Sequence, residues 1–255
     1  MLRRTSLLFS EFSTPLGACD VPCAPCLRQS NHGLPDCRFP HRRKTPDFTT
    51  FSLLLRMATK YQFQEIRSQI LLDLLPAYPT SFSEYKTSSR LGEMVFGTPP
   101  PHPNLVLNLF VTHKVAFALP FTYYRASMAS DPTSLATTAE ELTLPPDVLK
   151  VALRGQALLK TDEVELAKRL ALQDCPTSMC LAVHFPDCRA QFLDWILPTV
   201  STRSGILERE DFSGPGYCDQ CLQSFAQELS EAKEDTWKQL PLYFSLPPWK
   251  TLAGL

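Results

Sequence analysis

This chain of 255 residues contains nine cysteines, and their spacing suggests that some of them could bind a metal ion. The strongest set joins the pair Cys175-x4-Cys180 to the pair Cys218-x2-Cys221. Four thiolates from two close pairs match the ligands of a tetrahedral structural zinc, and a gap of two to four residues is usual within each pair. This spacing predicts one structural zinc held by Cys175, Cys180, Cys218 and Cys221. The alternative, left open by the sequence, is four buried thiols, since cysteine is among the most buried residue types.

The remaining candidates for metal or catalytic chemistry are weaker. His184 ranks below the cysteines as a zinc ligand, and no alternating strand–helix pattern supports a redox role for Cys218 and Cys221. An enzyme needs a nucleophile beside a general base, but no nucleophile motif flanks His102, His113 or His184. The 9 glycines form no phosphate-binding loop. The sequence therefore predicts a non-enzymatic protein with no small-molecule substrate.

Charge and hydropathy restrict the partners. The chain has 25 basic and 26 acidic residues and a net charge of −1, which gives no electrostatic reason to expect nucleic acid or an anionic membrane. No apolar run reaches the length of a membrane-spanning helix, and the first residues lack the apolar segment of a signal peptide. We therefore expect an intracellular protein, cytoplasmic or nuclear, whose cysteines are thiols or metal ligands.

The spacing of apolar residues predicts where order begins. Residues 1–47 are rich in Pro and Cys without helical or strand periodicity, which predicts a disordered leader. Helix-capping residues at 47–50 then start a helix that runs to about Lys60, and a second helix covers Glu65 to Leu75. Together they form a helical hairpin over residues 48–78. The side chains predicted to share the core face of the first helix are Phe51, Leu54, Leu55, Ala58 and Tyr61.

The rest of the chain predicts a mainly α fold. Residues 79–103 are polar and rich in Pro, which is typical of a linker or loop. Residues 103–252 form an irregular α-helical extension, with helices expected at 103–115, 117–126, 145–160 or beyond, 189–197 and 218–239. The third of these would bury Val148, Leu149, Ala152, Leu153, Ala157 and Leu158, and the last would stop before Pro241.

The segment Asp47–Phe63, followed by Glu65-Ile-Arg67, resembles the closing helix pair of a BTB/POZ domain. The continuation resembles fungal BTB-domain proteins that carry a helical C-terminal extension. The features that carry this likeness are the 103–119 helix pair with its Leu119-Pro120 step, Leu144-Pro-Pro-Asp147, the spaced cysteines, and Leu240-Pro-Leu-Tyr-Phe-Ser-Leu-Pro-Pro-Trp249. The likeness covers residues 47–252 and leaves out the opening strand–strand–helix block of the BTB fold.

The resemblance implies an adaptor or oligomerisation protein whose partners are proteins, either itself or a cullin-type ligase scaffold. The hairpin would then lack the neighbours that a complete BTB fold supplies, so it must dock on the helices at 103–126, pair with another chain or stay loose. Exposed apolar surface favours the second or third outcome, which predicts self-association through its apolar side chains. Those side chains are Phe51, Leu54, Leu55, Ile66, Ile70 and Leu74. The alternative function, a zinc-supported transcription-associated regulator that binds nucleic acid, is disfavoured by the net charge. At the C-terminal end, we expect residues 246–249 to pack back onto the helices.

Overall fold

The computed structural model describes residues 47–87, 96, 100–129, 144–172, 205–208 and 219–252. Every regular element in these ranges is helical and none is a strand, which confirms the mainly α fold. The predicted leader, apart from Asp47, and the predicted helix at 189–197 lie outside the described residues. The helices are α1 (Phe48–Lys60), α2 (Gln64–Leu74), α3 (Phe82–Thr87), α4 (Pro103–Thr112), α5 (Leu119–Ala129), α6 (Pro146–Leu172), α7 (Asp219–Tyr243) and α8 (Trp249–Leu252).

The α1–α2 hairpin forms where the sequence predicts it. Asp47 caps α1, because its carboxylate accepts the backbone N–H of Thr50 at 2.7 Å. The same hydrogen bond lowers the pKa of Asp47, since it stabilises the ionised carboxylate. Four of the six apolar side chains expected to have lost their neighbours are instead buried in the core of this chain: Phe51, Leu55, Ile70 and Leu74.

The hairpin packs against the helices that follow it in the chain. The ring of Tyr78, just after α2, meets Phe110 of α4 edge to face with centroids 5.1 Å apart. Arg67 of α2 donates from Nη2 to the carbonyl oxygen of His113 at 3.0 Å. Of the three outcomes expected for the hairpin, its core face therefore takes the one that was not favoured, docking on the helices at 103–126, because α4 and the residues around it supply the missing neighbours.

Three helices end in the same motif, with a left-handed residue that is not glycine. Gln62, Lys114 and Ser245 have φ of 58°, 53° and 55°. In each case the next residue donates its N–H to the carbonyl five positions back, the hydrogen bond of a Schellman motif. These bonds, each 2.9 Å long, are Phe63 to Ala58, Val115 to Phe110 and Leu246 to Pro241. A side chain in this backbone region costs about 1–2 kcal/mol.

Glycine at these three positions should stabilise the protein. The variants Gln62→Gly, Lys114→Gly and Ser245→Gly relieve the left-handed strain but add entropy to the unfolded chain, for an expected net gain of about 0.5–1 kcal/mol each. Urea unfolding measures the gain as a higher midpoint. Ser68→Gly, at an exposed position inside α2, is the control and should lower the midpoint. Lower stability in all three variants would contradict the strain argument.

The predicted linker contains a helix, α3. Ser81 precedes it, and its Oγ accepts the backbone N–H of Glu84 at 3.3 Å. The Glu84 carboxylate in return accepts the N–H of Ser81 at 3.2 Å, which completes a capping box. The rings of Phe82 and Tyr85 then lie against Trp237 of α7, at centroid distances of 6.5 and 4.8 Å. The expectation of a linker over 79–103 is therefore wrong at α3, because capping and aromatic packing fix this short helix.

The core face of α6 differs from the predicted one. Ala157 and Leu158 are exposed, whereas the polar residues Gln156 and Glu163 are buried. The amide of Gln156 donates to the carbonyl of Ser127 at 2.5 Å. The Glu163 carboxylate accepts the N–H of Ile206 at 2.9 Å and the Lys160 ammonium at 2.8 Å. Polar groups can lie in a core when their hydrogen bonds are made. The face predicted from apolar periodicity alone is therefore wrong at these positions.

Helix α7 continues through Pro241, contrary to the predicted stop before it. Proline has no N–H, so the carbonyl of Trp237, four residues earlier, lacks its helical donor. Trp249 supplies one, because its indole Nε1 donates to that carbonyl at 2.7 Å. The two indole rings also stack, with centroids 5.3 Å apart and planes 8° from parallel. The prediction that residues 246–249 pack back onto the helices is confirmed.

Phe244 is the second contact that holds this C-terminal end. Its ring stacks on Tyr123 of α5 at a centroid distance of 5.1 Å. On α6, a Cβ at Gly155 would lie 2.1 Å from the Phe244 ring. The glycine therefore provides the space that lets the ring approach the α6 backbone.

A double-mutant cycle tests the link between Pro241 and Trp249. Trp249→Phe keeps a stacking ring but removes the N–H, which should cost about 1–2 kcal/mol of unfolding free energy. In a Pro241→Ala background the alanine N–H can donate to the Trp237 carbonyl, so the same change should cost less than half as much. Urea unfolding of the four proteins measures the coupling. Equal costs in both backgrounds would show that the indole N–H does not replace the missing donor.

Candidate functional site

Helix α1 is apolar on two sides. Successive residues of a helix are about 100° apart, so Leu53, Leu54 and Leu55 span too wide an arc to share one face. Leu55 points into the core and is fully buried. Leu53 and Leu54 are 52% and 46% exposed. The prediction that Leu54 and Tyr61 lie on the core face is therefore wrong, because Phe51, Leu55 and Ala58 fill that face.

The exposed apolar residues of α1 and its C-terminal turn form one continuous group, which we call the outer stripe. Met57 lies one turn after Leu53, and Tyr61 lies one turn after Met57. The ring of Phe63 stacks against that of Tyr61 at a centroid distance of 6.0 Å. The stripe consists of Leu53, Leu54, Met57, Tyr61 and Phe63, each about half exposed. Large apolar side chains that remain in water along one helix face make the stripe the candidate interaction surface of the described residues.

The charges near the outer stripe are separated along the helix. Lys60 and Arg56 lie toward the C-terminal end, and the Lys60 ammonium sits 5.4 Å from the centre of the Tyr61 ring. Asp47 lies at the N-terminal end, where hydrogen bonding lowers its pKa and keeps it ionised. Residues 48–55, which separate Asp47 from Arg56, are uncharged. Two cations, Arg56 and Lys60, therefore lie within the span of the stripe, and one carboxylate, Asp47, lies at the N-terminal end of the helix.

The cysteines predicted to bind zinc are only partly described. Cys221 is buried in the first turn of α7, whereas Cys175, Cys180 and Cys218 lie outside the described residues. Within the described ranges, no group of three or more His, Cys, Asp or Glu side chains could hold a metal ion. The zinc site and its alternative of buried thiols both stay predictions, and metal analysis of the purified protein distinguishes them.

Two of the three histidines considered for catalysis lie at the ends of α4. His102 caps its N-terminus, where Nδ1 accepts the backbone N–H of Asn104 at 3.2 Å. His113 is buried at its C-terminal end and offers its carbonyl to Arg67. Burial lowers the pKa of both imidazoles, and at His113 the nearby Arg56 and Arg67 lower it further. The cap gives the His102 side chain a structural role, whereas the contact of His113 with Arg67 is made by its backbone carbonyl. His184 lies outside the described residues.

The two histidines predict a loss of stability in mild acid. Each has a folded-state pKa below the ordinary 6.5, so the unfolded chain takes up protons first as the pH falls. Their contribution to stability is complete above the unfolded pKa and is lost as the pH drops through 6.5 toward the folded pKa. Protonation of His102 also removes the acceptor that caps α4.

The measurement is urea unfolding between about pH 7.5 and 5.5, a range above the titration of ordinary carboxylates. A variant carrying His102→Asn and His113→Gln keeps polar side chains that do not titrate in this range. It should lose less stability across the range than the wild type. An identical loss in both proteins would show that other groups cause the acid sensitivity.

No protein-family model, no curated protein and no solved structure matches this chain. The described helices include none that is both long and apolar enough to cross a membrane. The BTB/POZ resemblance thus stays a prediction from the quoted sequence segments. The outer stripe was missed by the periodicity argument, although the consecutive leucines 53–55 were a visible signal of a two-sided helix.

Proposed function

We propose that this protein is a non-catalytic protein–protein interaction protein that binds a partner helix through the outer stripe of α1. The observation that supports this proposal is the exposure of Leu53, Leu54 and Met57 on a helix whose other side is already packed in the core. Such a surface suits an amphipathic helix, whose apolar face would cover the stripe. The BTB resemblance leads to the same class of function, an adaptor or oligomerisation protein.

Burial of the stripe gives the energetic argument. A large apolar side chain that moves completely from water into an interface gains about 1.5–3 kcal/mol. The stripe side chains are about half exposed, so each can gain part of this amount from a partner. The core does not depend on them, because Phe51, Leu55 and Ala58 anchor α1 from its other side. A partner can therefore associate with an already folded chain.

The charges near the stripe favour a protein partner over nucleic acid. Two cations, Arg56 and Lys60, lie near its C-terminal end, and the acidic Asp47 lies at the other end. Nucleic-acid binding needs a row of cations that follows the phosphates. The alternative, a zinc-supported regulator that binds nucleic acid, gains no support from the described surface.

Substitution of the stripe tests the proposed function. A variant with Leu54→Glu and Met57→Glu should fold like the wild type, since both side chains are exposed, but it should lose its partner. Leu242→Glu is the matched control, because Leu242 is 62% exposed on a different helix, α7. Affinity capture from an extract of the source cells, with identification by mass spectrometry, compares the three proteins.

A protein captured by the wild type and by Leu242→Glu, but not by the stripe variant, is the expected result. Additional copies of this chain count as partners in the same comparison. Capture profiles that are identical for all three proteins would contradict a role for the stripe in binding. Circular dichroism and urea midpoints of each variant establish that folding is unchanged.

A further inference from the structure

We infer that a groove between α3, α5, α6 and α7 is a second binding site, for a protein segment in which a glycine is followed by two aliphatic residues and a carboxylate. In the structure this groove holds residues 205–208 of the chain itself, Gly-Ile-Leu-Glu, as an internal ligand. Side chains of α3, α5 and α6 bind this segment, which also lies against α7. The site is built from helices other than α1, so it does not depend on the function proposed for the outer stripe.

The first observation is that side chains of two helices bind the main chain of the segment. Glu163 of α6 accepts the N–H of Ile206 at 2.9 Å, and the Tyr85 hydroxyl of α3 donates to the carbonyl oxygen of Leu207, also at 2.9 Å. Burial, and then the nearby Glu208, raise the pKa of Tyr85 to about 12, so its hydroxyl keeps the proton that it donates. Peptide-binding sites use such hydrogen bonds to gain affinity for the main chain, and they select the sequence through the side chains.

The second observation is that the side chains of the segment meet matching surroundings. Ile206 and Leu207 are each 4% exposed and belong to the hydrophobic core. The carboxylate of Glu208 lies 3.2 Å from Nη1 of Arg125 on α5. A Cβ at Gly205 would lie 2.4 Å from a tyrosine hydroxyl of α5, so a larger residue does not fit there. These contacts define the pattern of the ligand as glycine, two aliphatic residues and an acidic residue.

The third observation is the kind of contact that holds the segment. Its hydrogen bonds to the described helices are made with side chains, whereas its own backbone bond joins the N–H of Glu208 to the carbonyl of Gly205. The segment can therefore leave the groove without breaking a backbone hydrogen bond of those helices, which is the condition for a local opening. A segment of another chain with the same pattern can replace each contact that is lost.

The internal segment competes with any external one. Its covalent connection to the groove gives it a high effective concentration there. An external segment of the same pattern therefore binds in proportion to the fraction of molecules in which residues 205–208 have left the groove. The internal ligand is thus an autoinhibitory contact that keeps the site closed until it is displaced.

Fluorescence anisotropy of a labelled peptide with the sequence of residues 203–210 tests the site. The opened host is the full chain with Ile206→Ser and Leu207→Ser, which weakens the internal ligand and leaves the groove side chains unchanged. We expect this host to bind the peptide at least about tenfold more tightly than the wild type, because competition is reduced. A control peptide that carries the same two serines should bind neither protein. Absence of binding to the opened host, or equal affinity for the two peptides, overturns the inference.

A second host guards against misfolding of the first. Gly205→Ala displaces the internal segment by a steric conflict with α5, while its aliphatic residues are kept. This host should also bind the peptide more tightly than the wild type. Circular dichroism and urea unfolding of both hosts establish that the helices remain folded. Failure of two folded hosts to bind the peptide contradicts the site.

Substitution within the groove locates the bound peptide. In the opened host, Tyr85→Phe removes the donor to the Leu207 carbonyl but keeps the ring, and it should weaken peptide binding about three- to tenfold. Arg154→Gln, at an exposed position of α6 outside the named contacts, is the control and should leave the affinity unchanged. An affinity that Tyr85→Phe does not change would mean that the peptide binds elsewhere, which overturns the assignment.

Amide hydrogen exchange of the wild type tests whether the internal ligand leaves the groove by itself. The N–H of Ile206 should exchange faster than the buried amides of α6 around Leu159 and with little dependence on urea, because a local opening exposes little surface. Equal rates with the same urea dependence would show that residues 205–208 leave only when the whole chain unfolds. That result would overturn their role as a displaceable ligand.

Discussion

The indole ring of Trp237 is the contact that joins α3, α5 and α8 to α7. It is 2% exposed, and the rings around it come from α3, α5 and α8: Phe82, Tyr85, Phe121 and Trp249. Aromatic side chains bury more area than any others, so one ring can join several elements that are too short to fold alone. Helix α3 has six residues and α8 has four, and both lie where this cluster holds them.

Backbone hydrogen bonding is the second constraint, and the composition shows how this chain meets it. The chain has 23 prolines and 9 glycines, and three of the helices in its described part end with residues other than glycine in the left-handed conformation. Polar side chains accept backbone N–H groups at the starts of α1, α3 and α4: Asp47, Ser81 and His102. At Pro241 the missing donor comes from the indole of Trp249, so the same residue closes the aromatic cluster and completes the α7 backbone. At this end of the chain, the packing of one aromatic ring and the hydrogen bonding of the backbone therefore depend on the same residue.

The two apolar sides of α1 connect the fold to the proposed function. One side is buried and fixes the helix, and the other presents Leu53, Leu54 and Met57 to solvent at a defined orientation. A surface held by a packed core loses little conformational freedom when it binds, which favours association.

The sequence by itself determined the helical fold, the hairpin from Asp47 to Leu74 and the return of Trp249 to the helices, because capping residues, apolar periodicity and prolines act locally. The tertiary structure decided which apolar residues are core. Leu54 and Leu55 are the same residue type and adjacent in the chain, yet only Leu55 faces the neighbours of α1. Periodicity also could not anticipate a buried Glu163, since its carboxylate is satisfied by Ile206, which lies 43 residues away in the chain. The outer stripe exists for the same reason, because core and surface are defined only when distant segments meet.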